Sequence, residues 1–477
     1  MKKNMKKSLI VVLFVSVATF AADFDSVALR IINAAGHRPE NIGFVLRRTR
    51  DGKELAAVNA DKQFIPASLQ KLFTAAATLD KLGLGFRTRT RIYADGFDRK
   101  TGEIKGDMYI VGAGDAGITA ERLWLMAQHL RHAGVKTIPN RLVIDNSYFA
   151  IDHTDAPGYS SGDNSRAFMA PISAFAVSFN STSVVVQPVE EGENAHIHLF
   201  PPRDDVPVSG RVATSQRGQD LSVSTRQHPV SGMQVMLGGT IAPDARQRHI
   251  YRQVWEPVIN AGESFRTVAR QVGIEADFTV AVGQVDTSKA QLVLVYDSEP
   301  IINSLISKFK FSNNFNSEMM FLTLAAETTK QPATWESAKQ VVESWWEKTF
   351  PRSGKITVVN GSGMGSGNRN SAGQIADLLD WSHKQDWFFE YITTMAIAGV
   401  DGTLSSRFRR TDLAGNFRAK TGTLNALGVS GLAGYLRVNG EMYSVVFIGN
   451  DRATSQYAKW ILSEQLITGM KTAIERK

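Results

Sequence analysis

Pro66-Ala67-Ser68-Leu69-Gln70-Lys71 reads as the start of a helix that carries two reactive side chains. Pro66 stands near the first turn and Gly83 is the stop, so the pattern predicts a helix over 66–82. Ser68 and Lys71 are three apart and share one helix face. A serine hydroxyl is a weak nucleophile until a base takes its proton. A lysine can be that base only if its pKa falls. Burial beside Leu69, Leu72 and Phe73, or a second cation nearby, would lower it. Backbone N–H groups at the helix start can also face a developing oxyanion. A Ser-x-x-Lys spacing alone arises by chance in most chains of this length, so its weight depends on its partners.

Two partners follow in order. Ser312-Asn313-Asn314 comes after a helix predicted over 301–310. Lys420-Thr421-Gly422-Thr423 closes a predicted strand. Gly422 lets a ligand backbone approach the strand edge, Thr421 and Thr423 can hydrogen-bond a carboxylate, and Lys420 supplies a positive field. The ordered set is that of penicillin-binding proteins and class A β-lactamases. Over nearly the whole chain after residue 21, the sequence resembles class C low-molecular-mass penicillin-binding proteins, the D-alanyl-D-alanine carboxypeptidase/endopeptidase family. Supporting stretches include Gly112-Ala113-Gly114-Asp115, Leu142-Val143-Ile144-Asp145, Ala170-Pro171-Ile172-Ser173-Ala174, Gly361-Ser362-Gly363, Gly399-Val400-Asp401-Gly402-Thr403-Leu404 and Gly431-Leu432-Ala433-Gly434-Tyr435. Ser68 and Ser312 stand 244 positions apart (312 − 68). So long an insertion is characteristic of that family and too long for a class A β-lactamase.

The resemblance implies an α/β (α+β) fold with a transpeptidase/β-lactamase-like serine acyl-transferase domain from residues 22–88 and 290–477. It implies an inserted second domain from 89–180 and 246–289, and a β-rich third domain nested at 181–245. It implies that Ser68 is acylated by the carbonyl of the penultimate D-Ala and that Lys71 takes its proton. Ser312 and Lys420 relay a proton to the leaving amine, Asn314 orients the substrate amide, and Thr421 and Thr423 hold the terminal carboxylate. The N–H groups of Ser68 and Thr423 form the oxyanion hole, and Gly422 counts among the substrate-binding residues. No cofactor or metal is required. Peptidoglycan peptides are the substrates and β-lactams the covalent inhibitors; a homodimer is left open. Asp145 matches the family's ligand for the amine of diaminopimelate. The family often has Arg in a Gly-Leu-Ser-Arg run where this chain has Ser366; Arg369 is the nearby substitute. The family's Gly-Asp-Pro is here Gly114-Asp115-Ala116.

Composition agrees. The 477 residues are 43% hydrophobic and 21% charged, a globular balance, and the length suits roughly two to four domains. The absence of cysteine excludes disulfides, thiolate metal sites and a cysteine nucleophile. The formal charge of +8 invites a nucleic-acid reading, but Lys2, Lys3, Lys6 and Lys7 open a segment that reads as a secretory signal. A largely apolar run follows at 9–17, then Ala18, Ala21 and Ala22. Cleavage after Ala21 removes four charges and leaves +4. The expected location is the periplasm, with no transmembrane anchor after cleavage and no nucleic-acid partner.

The sequence also carries rival patterns. Gly112-x-Gly114-x-x-Gly117 between a predicted strand (108–111) and a helix from about Thr119 fits a dinucleotide-binding fingerprint. Against it, Asp115 would put a carboxylate in the pyrophosphate loop, and Asp145 lies 28 residues past Gly117. A second such unit, a strand at 356–359 before Gly361-Ser362-Gly363-Met364-Gly365, lacks the last glycine. His129/His132 and His196/His198 share faces without an obvious third ligand. A β-lactamase of the same fold and a non-enzymatic wall-binding protein complete the alternatives. The last helix, predicted over 456–474, reads as a core helix.

Overall fold

The computed structural model describes residues 23–159, 165–218 and 220–476; the expected signal segment 1–21 lies outside them. The two ends of the chain meet in one antiparallel sheet of six strands. Its order is Lys53–Val58, Ile42–Arg48, Glu441–Asn450, Val429–Val438, Phe417–Leu424 and Ala396–Ile397. Side chains alternate across a strand, so one strand serves two cores. Val445 and Phe447 face the terminal helices Phe24–Ala34 and Gln456–Glu475, with Phe44, Leu46, Leu462 and Leu466. Val446 and Ile448 face the opposite layer, with Leu72, Phe73, Met319 and Trp346. The segments that carry Ser68, Ser312 and Lys420 lie at the border of that second layer.

A second sheet of five strands forms between them, in the order Thr279–Val282, Arg141–Asp145, Met108–Val111, Arg89–Ala94 and Gln291–Asp297. Its first three strands are parallel and its last two pairings are antiparallel. Helices Ala120–His132 and Pro257–Gln271 cover it with a separate core around Leu123, Met126 and Phe265. Between residues 181 and 253 the described residues form only short strands. Ser181–Gln187 pairs with His196–Phe200 and with Arg248–Gln253. These enclose a small cluster of Val184, Val186, Val223 and Val235. No helix among the described residues is long and apolar enough to cross a membrane.

Several local expectations differ from the structure. The helix expected from Pro66 begins as a tight 3-10 turn, Ala67–Leu69, and becomes α-helical only over Gln70–Leu82. Ala67 has φ +49°, a left-handed conformation costly for a side chain, so packing imposes it. The strand expected at 356–359 is reduced to one bridge between Thr357 and Arg369. Lys420-Thr421-Gly422-Thr423 lies inside Phe417–Leu424, not at its end.

The dinucleotide-like unit is a real strand–loop–helix–strand crossover, but its loop is filled. A Cβ on Gly112 would stand 2.4 Å from the Phe175 backbone nitrogen, and one on Gly114 would stand 2.3 Å from Thr323 Oγ1. The glycines admit protein, so no cradle for a pyrophosphate remains there.

Candidate active site

Three elements converge on Ser68. It sits in the strained turn at the head of helix Gln70–Leu82, half-buried. Ser312, at φ +57°, joins helix Ile301–Lys310 to helix Asn314–Thr329. Asn313 caps the second helix by accepting from Asn316 N–H at 3.0 Å. The third element is Phe417–Leu424. Its short outer neighbour pairs only with Arg418 and Ala419, so the edge beyond Lys420 is open to the cluster. A Cβ on Gly422 would lie 2.9 Å from Pro66 O and 3.4 Å from Ser68 N, so glycine permits this approach.

Lys71 is fully buried. Its Nζ donates to Ser68 Oγ at 2.9 Å, to Asn314 Oδ1 at 2.8 Å and to the Ser362 carbonyl at 2.8 Å. Two of these partners are acceptors only. A neutral amine must spend both N–H groups on Asn314 and Ser362, which leaves its lone pair aimed at Ser68 Oγ. Burial pushes Lys71 down from the usual lysine range, and the buried Glu318 partly opposes this. Lys420, also fully buried, donates to Ser312 Oγ at 2.7 Å and to Thr421 O at 2.6 Å. Burial lowers its pKa strongly, and Lys71 and Lys308 add like-charge repulsion. The hydroxyls of Ser68, Ser312 and Thr421 remain half-exposed and Thr423 is exposed, so oxygens face outward over buried amines.

Five further residues complete the cluster: Ser362 and Thr403 lie in stretches that carry the family resemblance, whereas Tyr159, Lys308 and Glu318 have no motif signal of their own. Glu318, fully buried, accepts from the N–H groups of Gly361 at 2.8 Å and Ser362 at 3.1 Å, and from Tyr159 Oη at 3.1 Å. Those bonds fix the Ser362 carbonyl that holds Lys71. Thr403 Oγ1 accepts from Thr421 Oγ1 at 2.7 Å. Lys308 is buried, and its Nζ donates to the Met320 thioether at 3.2 Å; burial first, then Lys71, pushes its pKa well down.

Asp145 is elsewhere. It ends a strand of the five-stranded sheet, and its carboxylate accepts from Ser147 N–H at 2.9 Å and Val285 N–H at 3.0 Å. Arg369 donates to the carbonyls of Ser366 and Asn368. His196 and His198 pack ring to ring at 6.5 Å. Among the described residues, no group of three or more His, Cys, Asp or Glu side chains could hold a metal ion.

Residues 30–464 match the family model described as the D-Ala-D-Ala carboxypeptidase 3 (S13) family. The chain belongs to this family. It is 30% identical over 407 residues to a D-alanyl-D-alanine carboxypeptidase of Actinomadura sp. (strain R39), covering 83% of this chain and 74% of that one. It is 27% identical to the D-alanyl-D-alanine carboxypeptidase DacB of Haemophilus influenzae, covering 87% and 86%. The solved structure of penicillin binding protein 4 from Haemophilus influenzae has the same fold, with TM-score 0.78 at 24% identity, over 93% of this chain and 99% of that one. A predatory endopeptidase of Bdellovibrio bacteriovorus shares the fold more distantly, with TM-score 0.52 at 14% identity over 91% and 92%. The S13 chain is therefore a carboxypeptidase-family hydrolase of the penicillin-recognising serine hydrolase fold.

Proposed function

We propose that the protein is an exported serine-type D-alanyl-D-alanine carboxypeptidase and endopeptidase that cuts peptidoglycan stem peptides through an acyl-enzyme. The observation that carries this reading is the lone-pair geometry at Lys71, whose two N–H groups have fixed acceptors while Ser68 Oγ lies 2.9 Å away. Neutral Lys71 takes the Ser68 proton as Oγ attacks the carbonyl of the penultimate D-Ala. The oxyanion forms toward the N–H groups of Ser68 and Thr423. The C–N bond then breaks as Ser312, backed by Lys420, gives its proton to the departing amine and regains one from Lys71, which returns to its neutral form. Water attacks the ester, Lys71 accepts its proton and passes it to Ser68 Oγ as the acyl–oxygen bond breaks, and Ser68 is restored. Every group in this cycle is a side chain or backbone N–H of the chain, so it needs no metal or organic cofactor.

The open edge of Phe417–Leu424 suits an extended peptide added as a further strand. Thr421, backed by Thr403, and Thr423 then meet its terminal carboxylate. The same pose suits a β-lactam as a covalent inhibitor. Exposed Phe168, whose carbonyl accepts from Asn314 Nδ2 at 3.4 Å, and exposed Phe311 offer apolar walls. Asp145 remains a candidate for a stem-peptide amine by resemblance alone, since its carboxylate already serves two backbone N–H groups. The division into 22–88 with 290–477, 89–180 with 246–289, and 181–245 follows the apolar clusters in outline only, since Tyr296 joins the core of the five-stranded sheet, Val254 joins the cluster around Val184, and Phe149 and Ile172 join that around Leu72. The basic N-terminal segment of the sequence favours export to the periplasm.

Digestion of purified muropeptides followed by mass spectrometry tests the reading. Loss of one D-Ala from pentapeptides marks carboxypeptidase action, and conversion of crosslinked dimers to monomers marks endopeptidase action. Neither product, with rapid nitrocefin turnover instead, would favour the β-lactamase alternative.

A further inference from the structure

A wide cleft opens where strand Arg89–Ala94 meets the C-terminal end of helix Asn314–Thr329. Its volume is about 710 Å³, within the range of a ligand pocket. Successive side chains of an extended segment point to opposite faces. Thr88, Thr90 and Ile92 are buried, so Arg87, Arg89 and Arg91 stand exposed in a row on the other face, and all three line the cleft. Along a strand such neighbours are about 7 Å apart. Lys330, at the end of the helix, adds a fourth cation to the lining.

The chain itself does not neutralise this row. Arg89 meets Asp297 at 3.3 Å, and both are more than half exposed, so that pair is weak. Arg87 donates to the Ser298 carbonyl at 2.5 Å, which leaves its charge in place. Arg87 also acts on Glu299, but that carboxylate is paired with Arg122 at 2.6 Å. Lys330 pairs with Glu327 at 2.7 Å, and Tyr148 Oη donates to the other oxygen of Glu327 at 2.8 Å. Arg91 acts on the same carboxylate from farther off and has no hydrogen-bond or ion-pair partner among the described residues. Four cations thus face two acids, Glu327 and Asp297, which leaves an excess of two positive charges (4 − 2). Counting the buried Asp115 of the adjoining loop as ionised still leaves the cleft positive.

A guanidinium fork fits a carboxylate or a phosphate. The anion that a peptidoglycan hydrolase meets along its own polymer is the carboxylate of the stem peptides. Asn314 at the active site and Glu327 at the cleft stand 13 positions apart (327 − 314) on one helix. That separates the two places by about 20 Å. Four residues of peptide span at most about 14 Å, so a stem that acylates Ser68 falls short of the arginines. We propose that the row of Arg87, Arg89 and Arg91 binds the carboxylates of a second stem peptide, an acidic peptide of the same polymer, while the first is cut at Ser68. The identity of the polymer rests on the hydrolase reading; the cleft and its charge do not.

The test compares two substrates of the full chain: a free pentapeptide ending in D-Ala-D-Ala, and soluble uncrosslinked glycan chains that carry the same pentapeptide. Arg89→Gln combined with Arg91→Gln removes two charges at exposed positions. KM for the glycan chains should rise about 10-fold, the scale of one lost charge-assisted hydrogen bond, with kcat kept. For the free pentapeptide, kcat/KM should not change. In Ser68→Ala, which separates binding from turnover, the same exchange should weaken binding of fluorescent glycan chains by a like factor. Unchanged KM or unchanged binding for the glycan chains, or an equal loss on both substrates, would overturn the proposal. So would binding of sodium polyphosphate at the arginine row by a protein that ignores the glycan chains, since the cleft would then belong to a phosphate polymer. If the wild type cuts neither substrate, the hydrolase reading fails, and the binding comparison in Ser68→Ala still decides the cleft by itself.

Discussion

A Cβ built on Gly363 would stand 1.8 Å from the carbonyl oxygen of Ala67, the residue that precedes Ser68. Gly363 has φ +83° and Ala67 has φ +49°, so two left-handed residues lean on each other directly behind the nucleophile. Gly363→Ala should displace the Ser68 turn. Misplacement of a nucleophile by about 1 Å costs on the order of 100-fold in rate. Penicillin acylation should fall by about that factor while the far-ultraviolet circular dichroism spectrum is kept; an unchanged rate would show that the turn does not need this contact.

The pH dependence follows from Lys71. Burial pushes its pKa down to about 7, and only the neutral amine accepts the Ser68 proton. The acylation rate should rise with pH through neutrality and level off above it. A rate that falls over that range would mean that protonated Lys71 is the working form.

Glu318 contributes opposite charge to Lys71 and anchors the loop whose carbonyl holds it. Glu318→Gln removes the charge that favours the ammonium form. The midpoint of the acylation profile should therefore move to lower pH, while the plateau rate drops because two N–H groups lose a charged acceptor. A midpoint that moves upward would contradict this electrostatic account.

Lys308 is buried against a thioether, a weak acceptor. Its pKa is depressed, so the unfolded chain binds a proton that the native one excludes. Stability from this group is complete only above the unfolded lysine value and declines as pH falls toward the folded one. Lys308→Met should stabilise the protein at neutral pH by about 1–4 kcal/mol, the scale for replacing buried charge with packed apolar groups. It should also flatten the rise of Tm with pH between neutral and mildly alkaline conditions. A lower Tm in the variant would show that the amine has a use in the native fold that the Met320 contact does not reveal.

These cases separate what the sequence disclosed from what it hid. Ser68, Lys71, Ser312, Asn314 and Lys420 announce themselves because each lies in a short motif with local turn and helix signals, and the structure brings them within hydrogen-bond reach. Strands such as Ile42–Arg48 and Val429–Val438 were legible as short apolar runs that end near turn signals at Asp51-Gly52 and Asn439-Gly440, and each is buried on both faces. Glu318 was hidden because a single carboxylate in an apolar helix has no motif, although its place four residues past Asn314 puts the two on one face. Lys308 shares the buried stripe of Ile301, Leu305 and Phe309, and a lysine on such a stripe was the available signal. Ser362 and Thr403 arrive by tertiary packing from distant loops. The strain at Ala67 has no local signal at all, because Gly363 imposes it from almost 300 residues away.

The most direct measurement is peptide mapping by mass spectrometry after brief exposure to benzylpenicillin. The account predicts one penicilloyl group per chain, on the peptide that contains Ser68, and none in Ser68→Ala. It also predicts that the trapped enzyme no longer releases D-Ala from D-Ala-D-Ala-ended peptides. Acylation at any other residue, or D-Ala release that persists in Ser68→Ala, would contradict it.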